Sequence, residues 1–203
     1  MKQEILDRIV QLGGNIENVN HTSLKEDLEA ISFSTVLYPK QKDTPWAKSD
    51  QLEPINGITK IIDENRSLIE SNITSFYDKI IAHFYRDTDE SFGQVFYKKH
   101  LFTPFKEGSD DFKEWNGEWE EDSFKEVIIG NEMEFMIIGY SYGSPDNYFV
   151  CLTDPNQENP IVYGTDHEVY FDEITKECTL EEYFNSFITP QELIDTLKYK
   201  LGV

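Results

Sequence analysis

FMIIGYSYGSPDNYFVCLTDPNQENPIVYGTDHEVYFDEITKECTLEEYFNSF, residues 135–187, is the stretch that decides the fold. Met136-Ile137-Ile138 is an apolar run ended by Gly139. Ser144-Pro145-Asp146-Asn147 is a run of turn formers. Tyr148 to Leu152 is a second run, aromatic and β-branched, and Asp154-Pro155-Asn156 turns the chain again. Ile161-Val162-Tyr163 stops at Gly164, and Val169-Tyr170-Phe171 is a fourth short run. Thr179 then stands as an N-cap with Glu181 and Glu182 in the first turn, where the helix dipole favours anions. Leu180, Tyr183, Phe184 and Phe187 share one helical face. The unit read from these residues is an antiparallel meander closed by a covering helix. It implies an α+β fold with a mainly antiparallel sheet flanked by helices.

Toward the C-terminus, Thr189, Pro190 and Glu192 repeat the capping logic for a last helix with Leu193, Ile194, Leu197 and Leu201 on its face. Toward the N-terminus, Val127–Ile129 and Glu134–Ile138 flank Gly130-Asn131 as a plausible hairpin. Phe112 and Trp115 suit a helical turn stopped by Asn116-Gly117. Residues 89–100 suit a short amphipathic helix carrying Phe92, Val95, Phe96 and Lys98-Lys99. The longest helical pattern runs from Ile58 to Tyr85, with a break expected near Ser71-Asn72. Residues 38–57 carry Pro39, Pro45 and Pro54 and read as a loop or linker, pinned by Trp46 and Leu52. Ahead of it, Ile31 to Leu37 alternates as a strand, Ser23 with Glu26 opens a short helix, and Ile5, Leu6, Ile9, Val10 and Leu12 form another that Gly13-Gly14 ends. Two domain divisions fit: an extension over 1–57 before a domain over 58–203, or a single domain over 1–203.

The 203 residues carry 18 bases and 39 acids, a formal net charge of −21, and it is unevenly spread. Residues 1–106 are nearly balanced, with 16 acids and 13 bases. Residues 107–134 hold 11 acids and 2 bases, and residues 154–195 hold 11 acids and 1 base. A surface of this kind repels phosphates, which argues against direct nucleic-acid binding. It attracts basic partners and speeds encounter with them. Solubility alone also accounts for such a charge. No run of about 18 apolar residues marks a helical membrane span. The start, MKQEILDRIV, has acids where a signal peptide has bases, and the two cysteines form no CxxC pair. A cytoplasmic location is expected.

Chemistry is sparse in this sequence. There is no GxSxG, no phosphate-binding glycine loop, and no pair among His21, His83, His100 and His167 has metal-ligand spacing. Asp154, Asn156 and Glu158 imitate the start of a calcium loop, but Asn159 and Thr165 stand where glycine and glutamate are required, so the stretch is a turn. Asp166-His167-Glu168 could serve as an acid–base cluster, although a solvated turn accounts for it more simply. No catalytic residue, metal or cofactor is expected.

The region from Ile137 to Phe184 resembles the SUKH superfamily, which holds bacterial immunity proteins and fungal regulators of cell-wall assembly. The resemblance rests on Ile137-Ile138-Gly139, Gly143, the aromatic strand Asn147 to Asp154, Pro160-Ile161-Val162-Tyr163, Thr165-Asp166-His167 and the helix start Thr179-Leu180-Glu181-Glu182-Tyr183-Phe184. The family's N-terminal Leu-Pro, aromatic helix and Asn-Gly are not matched by Leu37-Tyr38-Pro39 or by Asn56-Gly57, which marks this chain as divergent with a longer front half. The resemblance implies a curved antiparallel sheet flanked by helices. It also implies a non-enzymatic role, that of an antidote binding a cognate toxin, often a nuclease. An acidic surface with an aromatic anchor would fit the basic groove of such a toxin. One candidate surface is Glu118, Glu120, Glu121 and Asp122 with Trp119 as anchor; a second is Asp166, Glu168, Asp172 and Glu173. Packing of Trp115 and Trp119 against the sheet accounts for the two rings more simply than an interface anchor does. Two other roles stay open: an intracellular scaffold or regulator with another basic protein partner, and an enzyme of unrecognised class using Asp166 and His167.

Overall fold

Four consecutive strands form the meander: β4 (Phe135–Tyr140), β5 (Asn147–Cys151), β6 (Ile161–Asp166) and β7 (Tyr170–Thr179). A fifth, β3 (Phe96–Phe102), pairs with the free edge of β4, so the sheet order is β3-β4-β5-β6-β7, antiparallel throughout. The computed structural model describes residues 1–86, 96–115, 120–141 and 143–202. The fold is α+β, and no helix among these residues is long and apolar enough to cross a membrane.

Both faces of the sheet are buried, because side chains alternate across a strand. Met136, Ile138, Val150 and Val162 point to one face, where they meet α1 (Gln3–Gln11), α2 (Leu24–Ala30) and α8 (Leu180–Asn185) through Ile5, Ile9, Leu28 and Phe184. Phe135, Phe149, Cys151, Tyr163 and Phe171 point to the other, where they meet Phe124 of α7 (Glu121–Val127) and Phe102. A two-stranded ribbon, β1 (Gly14–Asn15) with β2 (Ser32–Phe33), brackets α2. Residues 1–33 therefore share a core with the meander. A separate apolar cluster packs Ile58, Phe76, Ile80 and Phe84 against Leu193 and Leu197 of α9 (Pro190–Leu201).

The expected caps form. Thr179 accepts from the Glu182 amide while the Glu182 carboxylate accepts from the Thr179 amide, and Thr189 with Glu192 repeats the box. Gly202 ends α9 in the left-handed region.

Several local expectations are corrected. The pattern over 58–85 breaks at Ser71-Asn72 as expected, and a second, unexpected cut at Asn65 leaves three helices, α3 (Ile58–Glu64), α4 (Arg66–Ser71) and α5 (Ile73–Tyr85). Asn65 and Asn72 make the cuts: the Asn65 amide group donates to the Ile61 carbonyl in competition with the helical ladder, and Asn72 caps α5 by accepting from the Ser75 amide. Phe96, Lys98 and Lys99 lie in β3, not in a helix; residues 89–95 of that expectation lie outside the described residues. The open edge of β4 supplies the partner that overrides the helical pattern, and the lysines suit an edge strand. The Gly130 hairpin does not form. Both edges of β4 are taken by β3 and β5, and residues 121–127 are helical instead. Thr153 Oγ1 holds the intervening link by accepting from the Asn131 and Glu132 amides, each at 3.1 Å. The strand expected over 31–37 shrinks to Ser32–Phe33. Trp46 does not pin its loop, being 92% exposed. The backbone does so, through Lys40 N to Ser186 O at 2.7 Å and Ile188 N to Tyr38 O at 2.8 Å. A 3₁₀ turn at Ser49–Gln51 and α6 (Asp110–Trp115) complete the described elements.

Candidate functional site

Phe124 and Phe171 stack at 5.7 Å between ring centroids. Phe124 lies one turn into α7, and Phe171 is the second residue of β7. The contact brings the start of α7 against the start of β7, two segments some 45 residues apart in sequence. Glu120, Glu121 and Asp122 precede one ring; Asp172 and Glu173 follow the other, and all five are exposed. The acidic segments thus adjoin one buried aromatic cluster, in which Phe171 also meets Phe102, Phe135 and Phe149. Glu121 is paired with Lys125 at 2.8 Å, and that bond raises the lysine's pKa. Asp166 ends β6, opposite Tyr170 in the ladder, and Glu168 lies on the β6–β7 turn. The Asp166 carboxyl is held below its usual range by the Glu168 amide and then the Ser144 hydroxyl. Glu118 and Trp119 lie outside the described residues, as does any packing of Trp119.

The sequence places Asp166 and His167 side by side, but the structure adds Asp146. His167 Nδ1 lies 2.5 Å from Asp146 Oδ2 and 3.4 Å from Asp166 Oδ1. The pairing of Asn147 with Thr165 in the β5–β6 ladder puts the preceding and following residues together. Gly164 permits the close approach: a Cβ there would lie 2.6 Å from Pro145 Cγ. No spacing rule finds Asp146, since its proximity depends on strand register. The cluster is the described group whose donors converge closely enough to hold a metal ion. His167 itself stands 65% exposed on its turn.

A groove of about 640 Å³ runs beneath residues 39–44, lined in part by Pro39, Lys42, Tyr148, Cys178 and Tyr183, and another of about 660 Å³ continues past Leu52 to Tyr199. Neither includes Asp166 or His167. Burial, reinforced by Glu182 and Glu177, pushes the Cys178 thiol up to about 11. A thiol so disfavoured as thiolate is a poor nucleophile. Burial likewise lifts the Tyr148 hydroxyl to about 12.

No protein-family model, curated protein or solved structure matches this chain.

Proposed function

We propose that this chain is an immunity-type binding protein, a divergent relative of the SUKH superfamily, that neutralises a basic toxin domain of nuclease type in the cytoplasm. The observation that supports this most is the stacking of Phe124 on Phe171, because it brings two acidic segments of the chain together. The exposed carboxylates of Glu120, Asp122, Asp172 and Glu173 would stand where the toxin's phosphate-binding groove expects a nucleic-acid backbone. The buried phenylalanines fix the two segments relative to each other, so the charge pattern is preorganised. Cys178, held protonated, offers nothing to a catalytic reading. No cofactor, nucleic acid or membrane takes part in this proposal.

The test is a pull-down from lysate of the source strain, with this protein as bait, at low and then moderate salt. Capture of a basic toxin domain that falls at least about tenfold when Glu120, Asp122, Asp172 and Glu173 are changed to lysine supports the role and the surface. Capture of a toxin unaffected by those changes moves the surface. A chain that holds no basic protein at low salt is not an immunity protein of this kind.

A further inference from the structure

Asp146 carries a buried carboxylate, 5% exposed. Taking such a charge out of water requires a compensating cation or several donors. Among the described residues no lysine or arginine pairs with it. Its Oδ1 accepts from Asn147 Nδ2 at 2.8 Å, and its Oδ2 faces His167 Nδ1 at 2.5 Å. A histidine supplies positive charge only in its protonated form. Asp166 adds a second carboxylate on the far side of the same ring nitrogen, at 3.4 Å. Two anions thus converge on one imidazole, in a protein of net charge −21 that raises the local concentration of cations.

We propose that Asp146, Asp166 and His167 form a binding site for a divalent transition-metal ion of the zinc class. Their donor atoms lie within 4.8 Å of one another. One imidazole nitrogen and two carboxylate oxygens suit zinc, cobalt or manganese better than calcium or magnesium, which take all-oxygen sets. An ion about 2.1 Å from each donor holds neighbouring donors roughly 3.4 Å apart at tetrahedral angles. The His167–Asp166 pair already has that separation, at 3.4 Å. The His167–Asp146 pair must open from 2.5 Å, with the ring 65% exposed and so not boxed in by the core. The ion's two charges cancel those of the two carboxylates. Asp146 is fixed by its burial and by Asn147, and Asp166 by Ser144 and the Glu168 amide, so the ion meets two preset oxygens. The remaining position opens to solvent beside His167. This site does not depend on the toxin-binding role and would exist without it.

The experiment titrates zinc into the metal-free, full-length protein by calorimetry, with cobalt absorption as a second readout. One ion per chain is expected, with visible bands of tetrahedral cobalt. His167→Ala, an exposed substitution that leaves the core intact, should weaken binding at least about tenfold. Asp146→Asn should do the same, with circular dichroism to confirm its fold. Asp172→Asn, an exposed acid outside the donor set, should leave the zinc affinity unchanged. Absence of stoichiometric binding at millimolar zinc overturns the proposal. So does diffuse binding of several ions that His167→Ala does not alter.

Discussion

Arg8 and Glu192 meet at 2.8 Å, Nη2 to Oε2, and tie the first helix to the last. The same guanidinium nitrogen donates to the Phe187 carbonyl at 2.6 Å. Glu192 in turn accepts from Lys40 Nζ and from the Thr189 amide, each at 2.8 Å. One carboxylate therefore closes a helix cap, anchors the loop over residues 38–57 and holds α1. It accepts three charged or backbone donors at once, a small network across the chain ends.

Removing either partner should expose that coupling. Arg8→Ala is expected to lower stability by about 2 kcal/mol and Glu192→Gln by about 1 kcal/mol. A double-mutant cycle by urea unfolding should return a coupling near 1 kcal/mol, since the two residues touch. Strict additivity would show that the contact contributes nothing.

The same network predicts an acid response. Burial raises the Glu192 carboxyl, but the bonds from Arg8, Lys40 and the Thr189 amide outweigh it and hold the group at about 2, against 4.5 ordinarily. The folded state binds this proton more weakly than the unfolded chain does. The stabilisation is therefore complete above about pH 4.5 and is lost as pH falls toward about 2. Glu192→Gln should lose less stability than the unmodified protein between about pH 5 and about pH 3. Equal losses would place the sensitivity in other carboxyls, such as Asp166 and Glu182, which are also lowered.

Two buried tyrosines should respond in opposite directions to loss of the hydroxyl. Tyr163 Oη accepts from the Ile129 amide at 2.8 Å. Tyr163→Phe strands that amide and should cost about 1–2 kcal/mol. The Tyr183 hydroxyl is buried with no partner among the described residues. Tyr183→Phe should be neutral or stabilising by up to about 1 kcal/mol. Thermal unfolding of both variants decides the point.

Gly164→Ala should be costly for a residue of so little bulk. The new methyl would sit 2.6 Å from Pro145 Cγ, and a proline ring cannot swing aside. A loss of about 1–3 kcal/mol is expected, measured by urea unfolding. A neutral outcome would mean that the β4–β5 turn shifts freely.

Cys178 should alkylate slowly in the folded protein. Burial, with Glu182 and Glu177 nearby, pushes its thiol up to about 11. That lowers the thiolate fraction near neutral pH. Iodoacetamide labelling followed by mass spectrometry, with and without urea, should show residue 178 labelling at least several-fold more slowly in the folded protein. Comparable rates in both states would contradict the burial of the thiol.

Much of the fold was legible in the chain. The strand cores of residues 136–163, the boxes at Thr179 and Thr189, and the glycines after α1 and α9 are local matters of side-chain period and capping, so they appear in the sequence itself. Gly139 and Gly164 do not stop their strands but lie within β4 and β6, and β7 runs on from Tyr170 to Thr179, because ladder pairing with neighbouring strands carries the chain past them. The candidate site was legible only in part. Asp166 and His167 are neighbours in sequence, whereas Asp146 joins them through a ladder register. Glu120 to Asp122 and Asp172 to Glu173 stand out as acidic runs, but nothing local says that Phe124 meets Phe171.

By itself the sequence determined the α+β class, the meander with its closing helix, the caps and the concentration of charge in two segments. Each follows from interactions spanning a few residues. Tertiary structure decided the rest. Residues 96–102 became a strand because β4 had a free edge, and residues 127–129 did not because that edge was then filled. Residues 1–33 entered the core because α1 and α8 bury their apolar faces on the same side of the sheet. Asp146 met His167 because strands separated by a turn align in one register. These are pairings between distant segments, chosen by which surfaces remain open once the local elements have formed.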